Sequence, residues 1–230
     1  MSAVKDTLLL FDIDGTLITS GSAGEHALKL AVKDLFGVED DLSGIGIAGR
    51  TDGLIARQIL DRYKREASAE NITAFLDAYL RRLVEFLPKT KGGVLPGIVQ
   101  LLEALKQRPN VALALLTGNL SRGAELKLAH YGMWAFFDFG AYADDHHDRN
   151  KLGPFAQARA VEFHGVEFPA NRTFVIGDTP YDIECGKAFG ARTVAVATGK
   201  YTRDQLAEHH PDFLFDDLSD VEGVIAALEI

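Results

Sequence analysis

The stretch Thr7-Leu8-Leu9-Leu10-Phe11 is apolar at every position after its first and stops abruptly at Asp12. It is too short for a helix and has no alternation that would leave one face polar. It therefore reads as a strand covered on both sides, the situation of strands inside a parallel sheet. Similar runs recur at Val111–Leu116 and at residues 137–140, 173–176 and 193–197, most of them ending at small or acidic residues. Between them, apolar residues return at three- and four-residue spacing, as on the inner face of a helix: Ile98, Leu101, Leu102 and Leu105, then Ala124, Leu126, Leu128 and Tyr131. Strands alternating with helices predict an α/β fold built on a parallel sheet.

Residues 21–93 break this rhythm. They carry three helical patterns, Ala23–Phe36, 52–64 and 71–87, and no convincing strand. A small α-helical domain inserted into the α/β core is expected, the core being residues 1–20 with 94–230. Glycines suited to hinges stand at both seams, Gly21 and Gly24 on entry and Gly92-Gly93 with Pro96-Gly97 on exit.

Composition narrows the partners. With 47% hydrophobic and 25% charged residues the chain is that of an ordinary globular protein. The formal charge of −9, from 24 basic and 33 acidic residues, disfavours binding to nucleic acid or to anionic membrane surfaces. The single cysteine, Cys185, allows no intrachain disulfide and fits a reducing compartment. Asp12 interrupts the first apolar run long before it could serve as a signal or membrane segment, so a cytoplasmic protein is expected.

The chemistry concentrates at the strand ends. After the first strand, Asp12 and Asp14 are two residues apart and project to the same side of an extended backbone, with Ile13 pointing the other way. In open α/β sheets the ligand site lies beyond the carboxyl ends of the strands. Paired acids there can divide labour, one as nucleophile toward phosphorus and the other as general acid and base. After the strand at Val111–Leu116, Thr117-Gly118-Asn119 offers a hydroxyl, a backbone without a side chain and an amide, just before a helix, as a cradle for phosphate. After residues 173–176 come Asp178 and Asp182 in Gly177-Asp178-Thr179-Pro180-Tyr181-Asp182. So many carboxylates at one sheet edge call for a cation, and Mg²⁺ is the natural one.

Asp12-Ile13-Asp14-Gly15-Thr16, Thr117-Gly118-Asn119 and Gly177–Asp182 resemble, in order, three motifs of the haloacid dehalogenase superfamily. The helical insertion after the first motif resembles the small cap of its phosphoglycolate phosphatase and β-phosphoglucomutase branch. The resemblance implies a Rossmann-like parallel-sheet core, a phosphatase acting on small phosphate monoesters, and Mg²⁺. It implies that Asp12 forms an aspartyl-phosphate, that Asp14 is the acid and base, and that Thr117 with Asn119 holds the phosphoryl group. Asp12 and Asp178 would bind the metal, joined by the Asp14 backbone carbonyl, with Asp182 acting directly or through water.

The family's further basic element, usually a Lys followed by Pro, departs from pattern in Asp148-Arg149-Asn150-Lys151-Leu152-Gly153-Pro154. Arg149 is favoured by its place at a helix entrance that Asp148 can cap, and Lys151 by its three-residue spacing to Pro154. The choice between them stays open here. Arg50 in Gly49-Arg50-Thr51-Asp52 either meets a second anionic group of the substrate or is simply solvated beside a helix cap. Asp144-Asp145-His146-His147-Asp148 and His209-His210 read as solvated residues, and Cys185 as a small core residue. The rivals are a phosphomutase of the β-phosphoglucomutase type, a dehalogenase, and a phosphate- or metabolite-binding protein without turnover. Oligomeric state leaves no trace in the sequence.

Overall fold

The computed structural model describes residues 5–230. Its first half runs β1 (Thr7–Phe11), β2 (Ile18–Thr19), α1 (Ala23–Phe36), α2 (Asp52–Arg62), α3 (Ala69–Phe86), β3 (Gly93–Val94) and α4 (Ile98–Lys106). It continues through β4 (Val111–Leu116), α5 (Ser121–His130), β5 (Gly140–Ala141), α6 (Leu152–His164), β6 (Thr173–Gly177) and α7 (Pro180–Ala188). The last elements are β7 (Arg192–Val196), α8 (Arg203–Ala207), β8 (Phe213–Phe215) and α9 (Val221–Leu228).

Six strands form one parallel sheet in the order β5-β4-β1-β6-β7-β8. β1 is central, and Phe11 lies opposite both Leu115 of β4 and Ile176 of β6. The three strands therefore end at one level, and the residues that follow them converge. Alternate residues of β1 serve the two faces. Leu9 and Phe11 pack with Ile98, Leu101, Leu128 and Val224 of α4, α5 and α9. Leu8 and Leu10 pack with Leu152, Ala156 and Cys185 of α6 and α7. This is the doubly covered α/β sheet that the apolar runs predict.

Some boundaries differ from the sequence expectation. The strand expected at 137–140 is the two-residue β5 at Gly140–Ala141. Phe137 instead follows a 3₁₀ turn at Trp134–Phe136, and its ring packs against Phe11 at 6.0 Å between centroids. The run is apolar because it closes the core, without being strand. α2 and α3 lie within two residues of the limits expected for them, with Thr51 and Ser68 as their N-caps. The edge strand β8 and the antiparallel pair β2–β3 were too short to read from periodicity.

The β2–β3 pair, with Ile18 opposite Val94 and Thr19 opposite Gly93, carries the chain out of the sheet and back. Between these strands α1, α2 and α3 bury their own cluster, including Leu28, Ile55, Phe75 and Tyr79. That cluster also takes in Leu120 and Ala143 from the sheet side, so the seam between the two parts is apolar as well as polar. Among the described residues, no helix is long and apolar enough to cross a membrane.

Candidate active site

The β1–β6 ladder extends one step past β1, because the Asp12 amide donates to the Ile176 carbonyl at 2.9 Å. This holds Asp12, a buried residue, rigidly at the sheet edge. The chain then turns at Gly15, whose φ of +86° favours glycine and whose absent β-carbon would lie 2.4 Å from the Asp178 carboxylate. The turn brings the Asp12–Asp14 segment against the loop after β6. Thr16 ties the two together by donating to Asp178 Oδ1 at 3.3 Å.

Asp12, Asp178 and Asp182 are all buried, and each offers a carboxylate oxygen within 4.8 Å of the others. Burial first, then the charges of Asp182 and Asp12, push Asp178 well above the usual carboxylate range. Asp182 is pushed up to about 6, chiefly by burial, with Asp12 adding to the effect and Arg149 opposing it. One guanidinium does not balance three carboxylates. An oxygen-only donor set with this surplus of negative charge fits a hard divalent cation.

Asp182 is already well occupied. Thr179, the N-cap of α7, donates its amide and hydroxyl to Asp182 Oδ2 at 3.0 and 2.7 Å, closing a capping box. Asp182 Oδ1 accepts from Arg149. Arg149 Nη2 also lies 3.2 Å from Asp12 Oδ1, and Nη1 donates to the Gly49 carbonyl at 3.0 Å. Arg149 is buried and its charge is held by these carboxylates against the cost of burial. Lys151, two residues on, is exposed and outside this network. The Cys185 thiol donates to the Arg149 carbonyl at 3.2 Å, and burial pushes it up to about 12, so it stays protonated as a core residue.

The second strand end supplies Thr117 and Asn119, both buried. Asn119 Nδ2 donates to Thr117 Oγ1 at 2.9 Å and to Asp14 Oδ2 at 3.0 Å. Lys127 of α5 donates to the same Asp14 oxygen at 2.5 Å and to Asn119 Oδ1 at 2.6 Å. Burial alone would raise Asp14, but Lys127 and Asn119 outweigh it and hold Asp14 below its ordinary value. Lys127 escaped sequence reasoning, although a lysine among Gly123, Ala124 and Leu128 on the buried stripe of a helix was a signal that could have found it.

The insertion reaches down through the loop before α2. A β-carbon on Gly118 would lie 2.2 Å from the Arg50 carbonyl oxygen, so the bare backbone there makes room for this loop. The Asp52 amide donates to the Gly118 carbonyl at 2.7 Å, and the Leu120 amide donates to Asp52 Oδ2 at 2.8 Å. Burial pushes Asp52 up to about 6, with Asp14 and Asp144 adding to this and Lys127 and the Leu120 amide opposing it. Thr51 Oγ1 donates to the His147 carbonyl at 2.5 Å. Arg50 lies with its guanidinium carbon 4.3 Å from the centre of the Tyr181 ring and donates to the Tyr181 hydroxyl at 2.9 Å.

The loop at Asp144–Asp148 has structural partners. Asp144 accepts from the Ser121 amide at 2.6 Å, and Asp145 pairs with Arg159. Among the described residues, only Asp12, Asp178 and Asp182 form a cluster suited to a metal.

Between insertion and sheet lies a cavity of about 350 Å³. Its floor includes Asp12, Asp14, Asn119, Arg149 and Asp178, and its roof includes Leu28, Ile47, Arg50, Ile55 and Tyr79. A pocket of this size takes a small molecule. A buried carboxylate at its floor, within reach of one guanidinium and of a carboxylate cluster suited to a cation, and with a second carboxylate beside it, suits displacement at a phosphoryl centre.

Comparison with known proteins identifies the family. The sequence profile of the haloacid dehalogenase-like hydrolases matches residues 9–196. The chain belongs to that family, and the relatives it matches within it include proteins named phosphatases. It is 30% identical over 226 residues to a Dickeya dadantii protein named "Probable phosphatase IndB", covering 96% of this chain and 94% of the relative. It is also 30% identical over 217 residues to a phosphoglycolate phosphatase of Aquifex aeolicus, covering 93% and 94%. Among solved structures, CbbY from Rhodobacter sphaeroides in complex with phosphate shares the fold, with a TM-score of 0.77 at 21% identity over 98% of this chain and 100% of that one. A hydrolase from Pseudomonas syringae does so with a TM-score of 0.74 at 20% identity, covering 96% and 98%.

Proposed function

We propose that the protein is a Mg²⁺-dependent phosphatase for small phosphate monoesters, of the phosphoglycolate or sugar-phosphate kind, acting through an aspartyl-phosphate. The observation that carries this reading is the buried Asp12 carboxylate, 3.2 Å from Arg149 and clustered with Asp178, on the floor of a cavity that Asp14 also lines. An Asp12 oxygen attacks phosphorus as the bond to the ester oxygen breaks, and Asp14, having first taken up a proton from solvent against the pull of Lys127 and Asn119, gives that departing oxygen its proton. In the second half Asp14 takes a proton from water as the water oxygen attacks phosphorus. The bond to Asp12 then breaks and inorganic phosphate leaves.

Thr117 and Asn119 steady the phosphoryl oxygens, and Arg149 balances the charge on Asp12. Asp12, Asp178 and the Asp14 backbone carbonyl are the metal-holding groups in this reading, and Mg²⁺ there offsets negative charge on the nucleophile and the phosphoryl oxygens. Asp182, with Thr179 on one oxygen and Arg149 on the other, serves that site through water. Arg50 in the roof suits a second anionic group on the substrate. The naming of relatives as phosphoglycolate phosphatases supports a small substrate. A cytoplasmic setting belongs to the same reading, supported by a single thiol that is buried and unpaired in a disulfide.

The test is phosphate release from phosphoglycolate, hexose phosphates and p-nitrophenyl phosphate, by wild type and Asp12→Asn, with Mg²⁺ or with chelator. Release that depends on Mg²⁺ and falls by at least about three orders of magnitude in Asp12→Asn is expected. Full activity in the variant, or in chelator, overturns the mechanism. Isomerisation of a hexose phosphate without net phosphate release would make the enzyme a mutase instead.

A further inference from the structure

We propose that Lys127 is a positioning residue for proton transfer, fixing the acid–base carboxylate Asp14 and the phosphate-side amide of Asn119 in one geometry; this deepens the phosphatase reading and rests on it. Lys127 lies outside the three motifs at the strand ends, on a helix that offers exposed positions to any lysine needed only for solubility. Instead its side chain is 5% exposed. Burying an ammonium is strongly unfavourable unless its donors are matched, so its partners identify what it is there to hold.

Those partners are Asp14 Oδ2 at 2.5 Å and Asn119 Oδ1 at 2.6 Å. An asparagine amide can be turned end for end with almost no change of shape, and its neighbours decide which way it faces. Lys127 has only donors and so requires the Asn119 carbonyl. The Asn119 Nδ2 is thereby turned toward Thr117 Oγ1 and Asp14 Oδ2. Asp14 Oδ2 now holds two donors, which locks the carboxyl and leaves the transferable proton to Oδ1. The site is also closed over from the insertion, where a β-carbon on Gly24 would sit 3.8 Å from Lys127 Nζ and 3.7 Å from the Tyr79 hydroxyl. Lys127 thus acts through Asp14, whereas Arg149 is the cation beside Asp12.

The experiment compares kcat/KM for two esters that differ in their need for a proton on the leaving oxygen. An alkyl phosphate needs one, whereas p-nitrophenyl phosphate departs as a stable phenolate. Lys127→Met should lower kcat/KM for the alkyl ester by about 10²- to 10⁴-fold, the range of general acid catalysis, and for p-nitrophenyl phosphate by no more than about tenfold. Equal losses on the two esters, or no loss on either, overturn the proposal. Lys127→Gln, which keeps a donor without the charge, carries the same comparison if the methionine variant fails to fold. In an Asp14→Asn background Lys127→Met should add nothing further, and a multiplicative loss also overturns it. Wild-type protein that turns over neither ester refutes the phosphatase reading itself, a result separate from all of these.

Discussion

Replacing Gly118 by alanine isolates the contact between the insertion and the sheet. The added β-carbon would lie 2.2 Å from the Arg50 carbonyl oxygen, 2.8 Å from its carbon and 3.1 Å from Thr51 Cα. All three neighbours are backbone, so no side chain can swing aside. Gly118 has no left-handed φ, and its own backbone accepts alanine without strain. The loop before α2 must therefore move away from the sheet. Two hydrogen bonds are lost with it, the Asp52 amide to the Gly118 carbonyl and the Leu120 amide to the Asp52 carboxylate. The first contributes about 1 kcal/mol and the second, to a charged acceptor, about 1.5–3 kcal/mol. Together they disfavour the docked arrangement by about 2.5–4 kcal/mol, which at 1.4 kcal/mol per decade is about 60- to 700-fold in the equilibrium between docked and undocked arrangements. Because the docked loop brings Arg50 and Ile55 over the cavity, kcat/KM for a small phosphate ester should fall by up to that factor above neutral pH. Because Leu120 and Ala143 share the apolar cluster of the insertion, the melting temperature should fall as well, by about 2–4 °C for each kcal/mol lost. The assay is steady-state phosphate release beside a thermal melt. A folded Gly118→Ala enzyme with kcat/KM within about threefold of wild type would refute the view that this contact closes the site.

Other outcomes follow from the buried acids. Asp52, at about 6, lies above its ordinary value of 3.8. A folded pKa above the unfolded one means that stability is fullest below about pH 4 and is lost as pH rises to about 6, by about 3 kcal/mol in all. Denaturant unfolding of Asp52→Asn and wild type should therefore shift by that amount in the variant's favour between about pH 4 and pH 7, and a pH-independent difference would contradict the assigned burial. Thermal melts should also show Mg²⁺ stabilising the wild type, by about 2.7 kcal/mol at a hundredfold excess over Kd. Asp178→Asn should lose most of that shift, and an unchanged shift would place the ion elsewhere.

The parts of the architecture that were legible in the sequence are those where a local pattern has one physical meaning. The strands β1, β4, β6 and β7 are buried along almost their whole length, and an unbroken apolar run too short for a helix suits a strand covered on both faces. Strand ends then located Asp12, Asp14, Thr117 and Asp178, because side chains that follow aligned parallel strands must meet. The run at 137–140 misled, since Phe137 is apolar for the sake of Phe11 and not of a ladder. What escaped was the pairing of distant groups. Lys127 and Asp14 are separated by 113 positions, so the place of Lys127 on the buried stripe of its helix can hint that it turns inward but not which carboxylate it meets. Nor does local pattern foretell that Tyr181 receives Arg50, or that the capping box at Thr179 occupies one oxygen of Asp182. The basic residue was a question of reach: Arg149 enters the cluster, whereas Lys151, two positions along the same 3₁₀ turn, faces solvent.

The first turn of α5 has no cap of its own. Leu120 stands at its N-cap position without a side chain able to accept a hydrogen bond. Its amide is satisfied by Asp52 from the insertion, and the next, that of Ser121, by Asp144 from the loop after β5. Leu120 is also part of the apolar cluster of α1, α2 and α3. The insertion is therefore not a cassette. A chimaera that exchanges these three helices for those of a relative keeps an α5 that begins on an unsatisfied amide and an uncovered leucine, unless the graft brings a carboxylate to the place of Asp52 and an apolar surface over Leu120. The cover that the insertion gives the cavity and the start of α5 rest on the same few residues, so evolution or design can alter the first only within what the second allows.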